Sequence, residues 1–298
     1  MQLKITILGD LMLDNISSIM DISLEDAIKN KMYESSIDTQ VGGTAFSFIH
    51  ALNKIGSATS TIIGKMGASK DNNLIPDLTG KEIIEKIKSY HSNCLIALDK
   101  ELPTGNTILI SLPGDRRLML ADVGANASFC LEDITPKMEE AVANCNILFI
   151  SGTCLLYHKR REAVAYLMKL ANQNHSYVFV DVVPHSIYNY ITYEELIHYT
   201  QHANGIIIEK NTAKRFLPSD MQLISSTENS QIAQFLFKNF DLVLLKPNNN
   251  IQILYDSDGF YKEEKTNYEN LPLNEIRGHS EYSSITLLLE YIRNKTIN

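Results

Sequence analysis

A chain of 298 residues, 44% hydrophobic and 21% charged, is long enough to bury a large core as one sizeable globular domain, which excludes a small cross-linked scaffold. Its net charge of −8 argues against a general binder of nucleic acid, whose affinity rests on Lys and Arg neutralising phosphates, and leaves room only for a small anion in a local pocket. Cys94, Cys130, Cys145 and Cys154 lack C-x-x-C spacing and sit in or near apolar runs, so the expectation is free buried thiols in a reducing compartment, with no metal framework among them. The opening run Met1 to Leu8 reads as a strand ending in Gly9-Asp10 rather than an export signal, and no apolar run approaches the roughly eighteen residues of a membrane helix. A cytoplasmic protein, off the membrane, is expected.

In chain order, Ile5 to Leu8 reads as a buried strand. Phe48, Ala51, Leu52 and Ile55 have the 3, 1, 3 spacing of one helix face, entered through Gly42-Gly43 and closed by Gly56, and Ala58 to Ile63 is the next strand. The mixed-polarity stretch between Asp14 and Gly42 fits neither a core strand nor a long helix. Thr107 to Ser111 and Arg117 to Ala121 flank Pro113-Gly114-Asp115, a hairpin signal. From about residue 145 the alternation becomes regular. Strands are expected at Ile147 to Ile150, Tyr177 to Val180, Gly205 to Ile208 and Leu242 to Leu245. Helical patterns lie around Val164 to Ala171, Glu194 to His202, before Leu217, and from Ile232 to Phe237. Apolar strands separated by amphipathic helices specify a mostly parallel sheet covered on both faces, whose ligands bind beyond the carboxyl ends of the strands. Asp10, Asp14, Gly152, Asp181, Glu209 and Lys246 all fall just past such ends.

Near the end of the chain, Glu275-Ile276-Arg277-Gly278-His279-Ser280-Glu281 runs into Ile285, Leu288, Leu289 and Ile292, again the spacing of a buried helix face. A glycine turn at a helix N-terminus offers unpaired N–H groups and the positive end of the helix dipole to a phosphate or developing oxyanion. A carboxylate in the first turn is placed to take a proton from an attacking hydroxyl. The alternative is that Glu281 only caps the helix and Gly278 only turns the chain.

Taken together, these stretches resemble the PfkB family of carbohydrate kinases, over nearly the whole chain. Leu8-Gly9-Asp10-Leu11-Met12-Leu13-Asp14 is similar to the family's first strand and its sugar-binding aspartate, which implies that Asp14 holds substrate hydroxyls. Gly42-Gly43-Thr44-Ala45 resembles the glycine pair under the sugar, with Ser47 where the family has asparagine. Pro103-Thr104-Gly105 through Gly124-Ala125-Asn126 resembles the segment closing with the second pair of lid strands, which implies a substrate-side role for Asn126. The resemblance implies a ribokinase-like α/β fold: one doubly wound, mostly parallel sheet spanning residues 1–298, with helices on both faces and a small β-rich lid from about 14–42 and 94–122. It implies ATP and Mg²⁺, a small sugar or nucleoside substrate, and a homodimer through the lid.

Departures cluster where the chemistry belongs. The family's Gly-Ala-Gly-Asp, an anion hole followed by a catalytic base, falls on Gly278-His279-Ser280-Glu281. The Asn-x-x-Glu beside magnesium and phosphates falls on Glu209-Lys210-Asn211-Thr212. The glycine after the strand ending at Leu245, near the nucleotide, falls within Pro247-Asn248-Asn249-Asn250, so Glu209, Lys246 and Asn248 are the nucleotide-side residues the resemblance implies. Glu281 keeps a carboxylate on an arm one methylene longer, a displacement of about an ångström that can cost about a hundredfold in rate. Ser280 matters if its position requires a left-handed backbone. Two functions stand: an ATP-dependent phosphotransferase with Glu281 as base, or a ribokinase-like pseudoenzyme that binds a ligand or a protein without turnover.

Other clusters receive plainer readings. His198 and His202 are four apart on a helix but lack a third ligand, so no metal is expected there. Lys159-Arg160-Arg161 at a helix start reads as surface charge rather than as a phosphate clamp. Arg116-Arg117 on the hairpin is either exposed or reaches over the substrate, and Asp181 either fixes a strand-end loop or serves the ligand.

Overall fold

The computed structural model describes residues 3–18, 25, 34–56, 58–112, 116–183, 186–248, 250–265 and 279–297. Two sheets organise them. The larger has nine strands in the order β13-β12-β11-β10-β9-β8-β1-β4-β5. These strands are β1 (Leu3–Leu8), β4 (Ala58–Gly67), β5 (Asn93–Asp99), β8 (Ile147–Ser151), β9 (Tyr177–Asp181), β10 (Gly205–Glu209), β11 (Leu242–Asn248), β12 (Ile251–Asp256) and β13 (Gly259–Lys265). From β5 across to β11 all neighbours run parallel, while β12 and β13 add an antiparallel hairpin at one edge.

The expected doubly wound, mostly parallel sheet is present, and its alternating side chains divide the core in two. Leu148, Ile150, Val178, Val180, Ile206, Ile208, Val243 and Leu245 face one layer of helices. That layer holds α3 (Pro136–Ala143), α4 (His158–Gln173), α5 (Tyr193–Thr200), α6 (Lys210–Phe216) and α7 (Glu228–Leu236). Ile5, Ile7, Phe149, Phe179, Ile207 and Leu244 face the other layer, made of α1 (Thr44–Ile55), α2 (Leu78–Ser89) and α8 (His279–Ile297). The runs β8 to β11 are apolar at successive positions because both faces are covered.

The second sheet has the order β3-β2-β6-β7, with β2 (Met12–Ser18), β3 (Ile37–Gly42), β6 (Gly105–Leu112) and β7 (Arg116–Asp122). Of the stretches expected to form the small layer, 14–42 supplies β2 and β3 and 94–122 supplies β6 and β7. The strand β5, also from the second stretch, instead extends the large sheet by pairing with β4. The hairpin expected around residue 114 is the antiparallel pair β6–β7; Pro113-Gly114-Asp115 lies outside the described residues.

Register assigns the faces of this small sheet. Asp14 lies opposite Thr107 and Gln40, and Ser111 has the same parity; Asp14, Thr107 and Ser111 are all buried. On the other face, Ile37, Ile108, Leu118 and Leu120 are exposed. Both faces of the sheet are therefore partly apolar, which explains why its strands carry no clean alternating pattern in the sequence.

Asn126 joins the two sheets. It is fully buried, its Oδ1 accepts from the Leu11 amide at 3.0 Å, and its Nδ2 donates to the carbonyls of Leu11 and Val123, each at 3.0 Å. Leu11 is where the chain passes from β1 to β2, so this amide fixes the small sheet to the large one. Buried backbone groups left unpaired are costly, and here one side chain satisfies three of them.

Candidate functional site

Both helices that bring a glycine or an acid to the cleft begin on the same side of the large sheet. α1 ends just before β4, whose Ala58 pairs with Leu3 at the amino end of β1, so α1 starts at the carboxyl ends of the strands. In α8 the Ser284 hydroxyl donates to Gln252 at 2.8 Å, beside the carboxyl end of β11, whereas Asn294 donates to Tyr261 at 2.9 Å further down the sheet. The first turn of α8, with Glu281, therefore lies at the same rim.

At one end of this rim stands Asp14, 7% exposed, accepting a short hydrogen bond from the Thr107 hydroxyl. A Cβ on Gly42 would overlap its carboxylate, so glycine there gives Asp14 its space. Gly43 caps α1 with φ 85°, and a Cβ on it would overlap the Asp10 carbonyl oxygen. Ser47, expected on the substrate side, is buried, with its hydroxyl 3.5 Å from the Gly43 carbonyl one turn back. The sequence did not single out three neighbours as a group: Thr44 at the first turn of α1 donates to the Ser151 hydroxyl at 2.6 Å, which in turn lies 2.8 Å from the Thr153 hydroxyl. These residues carry hydroxyls to the strand end beside Gly43, and their only signal in the sequence was position next to glycines and a strand terminus.

Arg160 and Arg161 overturn the surface-charge reading: they are 1% and 5% exposed. Arg160 forms an ion pair with Asp10, and Arg161 donates to the carbonyls of Leu155 at 2.6 Å and Tyr190 at 2.7 Å. Burial alone would lower the Arg160 pKa, but Asp10 and its other neighbours hold it raised. Burial pushes the nearby Cys154 thiol up to about 12, so it is uncharged at neutral pH. The partner of Arg160 lies 150 residues away in sequence, a distance over which local pattern carries no information.

Further along the rim, register lines up a second set that starts from the same Ser151. Ser151 pairs with Asp181, Asp181 with Ile207, and Glu209 with Lys246. Side chains alternate along strands, so Ser151, Asp181, Glu209 and Lys246 share the face of Phe149, Phe179, Ile207 and Leu244, the one covered by α1 and α8. The Lys246 ammonium is 3.8 Å from Asp181 Oδ1, with side chains 11% and 5% exposed. Asn248 is exposed, and its Oδ1 accepts from the Asn250 amide at 2.9 Å, closing the turn into β12. Gly278 lies outside the described residues, and of His279 and Ser280 only the backbone is described. Ser280 is inside the first turn of α8, where a side chain needs no left-handed backbone.

The Mg²⁺ implied by the resemblance would find two carboxylates at this end of the rim, Asp181 and Glu209. Thr212, standing where a carboxylate is expected, is 1% exposed within α6, and Lys246 already sets a positive charge beside Asp181. Among the described residues no group of three or more His, Cys, Asp or Glu could hold a metal ion. Magnesium carried by a nucleotide keeps several waters and takes one or two carboxylates beside the phosphates, a need that Asp181 and Glu209 would meet. No described helix is long and apolar enough to cross a membrane.

No family model and no curated protein sequence matches the chain. Solved structures do. An adenosine kinase from Schistosoma mansoni bound to adenosine superimposes with a TM-score of 0.73 at 16% identity, covering 97% of this chain and 89% of that one. A ribokinase from Giardia lamblia gives 0.68 at 13% identity, covering 91% and 77%. The chain has a ribokinase-like fold. An E. coli protein described as a ribokinase II candidate, solved with ATP and Mg²⁺, shares this ribokinase-like fold with a TM-score of 0.71 at 14% identity, over 90% and 80% of the two chains. At such identities the ribokinase-like likeness extends to architecture and not to any one substrate.

Proposed function

We propose that the chain is a PfkB-type kinase, transferring a phosphoryl group from ATP to a hydroxymethyl group of a small sugar or nucleoside. The observation that supports this most is the shared rim: Asp14, beside Gly42 and Gly43, and Glu281, in the first turn of α8, both lie at the carboxyl ends of the strands. In this reading Asp14 accepts hydrogen bonds from substrate hydroxyls, and the hydroxyls of Thr44, Ser151 and Thr153 line the same end. Asn126 acts indirectly, by holding Leu11 and so Asp14 in place. Glu281 takes the proton of the attacking hydroxyl, and the backbone amides of Gly278 to Glu281 receive the transferred phosphoryl group, whose charge is spread over its equatorial oxygens. Asp181, Glu209, Lys246 and Asn248 form the donor side. Adenosine, ATP and Mg²⁺ bound to structural neighbours support this class of ligand. ATP chemistry of this kind suits the cytoplasm, the location we assign.

A phosphotransfer screen over sugars and nucleosides with ATP tests the proposal. Asp14→Ala is expected to abolish measurable binding of the accepted substrate by calorimetry; unchanged affinity would remove Asp14 from the site. The second reading, a pseudoenzyme, is favoured by Thr212 at the position of an expected glutamate, and a screen without turnover on any acceptor would select it.

The exposed face of the small sheet bears Ile37, Ile108, Leu118 and Leu120, and we assign it to pairing with a second copy of the chain. Sedimentation should show a dimer at micromolar concentration that Leu120→Glu dissociates. A parent protein that sediments as a monomer would refute this assignment.

A further inference from the structure

A cavity of about 570 Å³ opens between the turn at Ile187–Asn189, the start of α5, the end of α6 and the last turn of α7. That is the size of a small-molecule site. Two of its lining residues, Phe216 and Phe235, belong to the core layer on the opposite side of the large sheet from α1 and α8, so the cavity stands apart from the first turn of either helix. Four aromatic rings wall it, those of Tyr188, Tyr193, Phe216 and Phe235, and the Tyr193 ring packs on both phenylalanines at centroid distances of 6.0 and 4.9 Å. Two opposite charges, Glu194 and Arg215, line the same cavity and are both exposed. The Arg215 guanidinium lies 5.4 Å from the centroid of the Tyr188 ring, and among the described residues neither it nor Glu194 makes an ion pair.

Opposite charges that share a cavity without meeting, above aromatic walls, narrow the choice of occupant. A simple anion drawn to Arg215 is repelled by Glu194, and a simple cation drawn to Glu194 is repelled by Arg215. A small molecule that carries both charges satisfies the two at once, and an apolar group attached to it leaves water for the rings. We propose that this cavity binds a free α-amino acid with a large apolar side chain. Its carboxylate sits on Arg215, its ammonium on Glu194, and its side chain among the rings of Tyr188, Tyr193, Phe216 and Phe235. Held over Tyr188, Arg215 still offers the edge of its guanidinium, where two parallel N–H donors match a carboxylate. Both charges are reached by solvent, so each contact is modest and selectivity comes from the two acting together.

The test titrates L-phenylalanine, 3-phenylpropanoate, 2-phenylethylamine and glycine against the full chain, Arg215→Gln and Glu194→Gln, by ligand-observed NMR, with circular dichroism to confirm folding. Both variants replace exposed side chains and are expected to fold. The parent chain should bind L-phenylalanine at least about fivefold more tightly than each analogue, which lack the ammonium, the carboxylate and the ring in turn, and each variant should lose L-phenylalanine affinity by a similar factor. In Arg215→Gln, L-phenylalanine should also lose its advantage over 2-phenylethylamine, and in Glu194→Gln its advantage over 3-phenylpropanoate, which assigns each charge its own contact. No binding of L-phenylalanine up to about 10 mM, an analogue that binds as well, or an affinity unchanged in either variant overturns the proposal. The cavity takes no part in the proposed phosphoryl transfer, so its result and that of the phosphotransfer screen are independent.

Discussion

Gly43→Ala is expected to destabilise the chain severely, with a loss of roughly 2–6 kcal/mol in urea denaturation. The residue sits at φ 85° as the cap of α1, and an added Cβ would overlap the Asp10 carbonyl oxygen and come within 2.7 Å of its carbon. A left-handed alanine costs roughly 1–3 kcal/mol, and forcing an atom into a packed space roughly another 1–3 kcal/mol. The obstacle is backbone held in place by Asn126 at Leu11 and by Arg160 at the Asp10 side chain, so it has nowhere to retreat. Gly42→Ala provides the internal contrast: there the obstacle is the Asp14 side chain, which can rotate away. That variant should stay folded and lose ligand affinity instead. A loss below about 1 kcal/mol for Gly43→Ala would show that the β1–β2 crossover relaxes, against the geometry described.

Glu281→Gln is expected to lower phosphoryl transfer by roughly 10²-fold or more while leaving KM nearly unchanged, because a general base acts on the proton in the transition state rather than on bound substrate. Glutamine keeps the shape and the helix, so stability should move only by the roughly 0.3–1 kcal/mol that an N-terminal carboxylate contributes. Glu281→Asp, with the shorter arm of the family's own residue, is expected to raise the rate. Steady-state kinetics on the best acceptor from the screen reads both. Undiminished activity in Glu281→Gln rules out the proposed base, and a parent without turnover confines Glu281 to its place at the helix start.

The regular part of the architecture was legible because its signals are local. Phe48, Ala51, Leu52 and Ile55 announce α1 by spacing alone, and the apolar runs at Ile147, Tyr177, Gly205 and Leu242 became β8 to β11. Elements with mixed faces escaped. α2, which buries only Gly80, Ile83 and Ile87, and the edge strands β5 and β13 carry too few buried positions to show a period. The rim was legible as a set of strand ends for Asp181 and Glu209, the last residues of β9 and β10, whereas Asp14 lies within β2 of the small sheet and Lys246 two residues inside β11. What each side chain meets there was not. The burial of Arg160 depends on Asp10, and the commitment of Asn126 depends on Leu11, both contacts made across more than a hundred residues. Ser280 raised a question of backbone strain that vanished once α8 was found to begin at His279. Gly278, the centre of the terminal motif, falls outside the described residues.

Asp181, Glu209, Lys246 and Glu281 stand past the last core layer, and none belongs to either apolar cluster. They contribute charge rather than apolar packing, and Asp181, 4% exposed, is ion-paired with Lys246. A change at Asp181 or Lys246 reaches the chemistry and the fold together, since it breaks a nearly buried ion pair. Melting temperature should therefore fall when this pair is broken, whereas loss of the half-buried Glu281 at the start of α8 should leave it nearly unchanged.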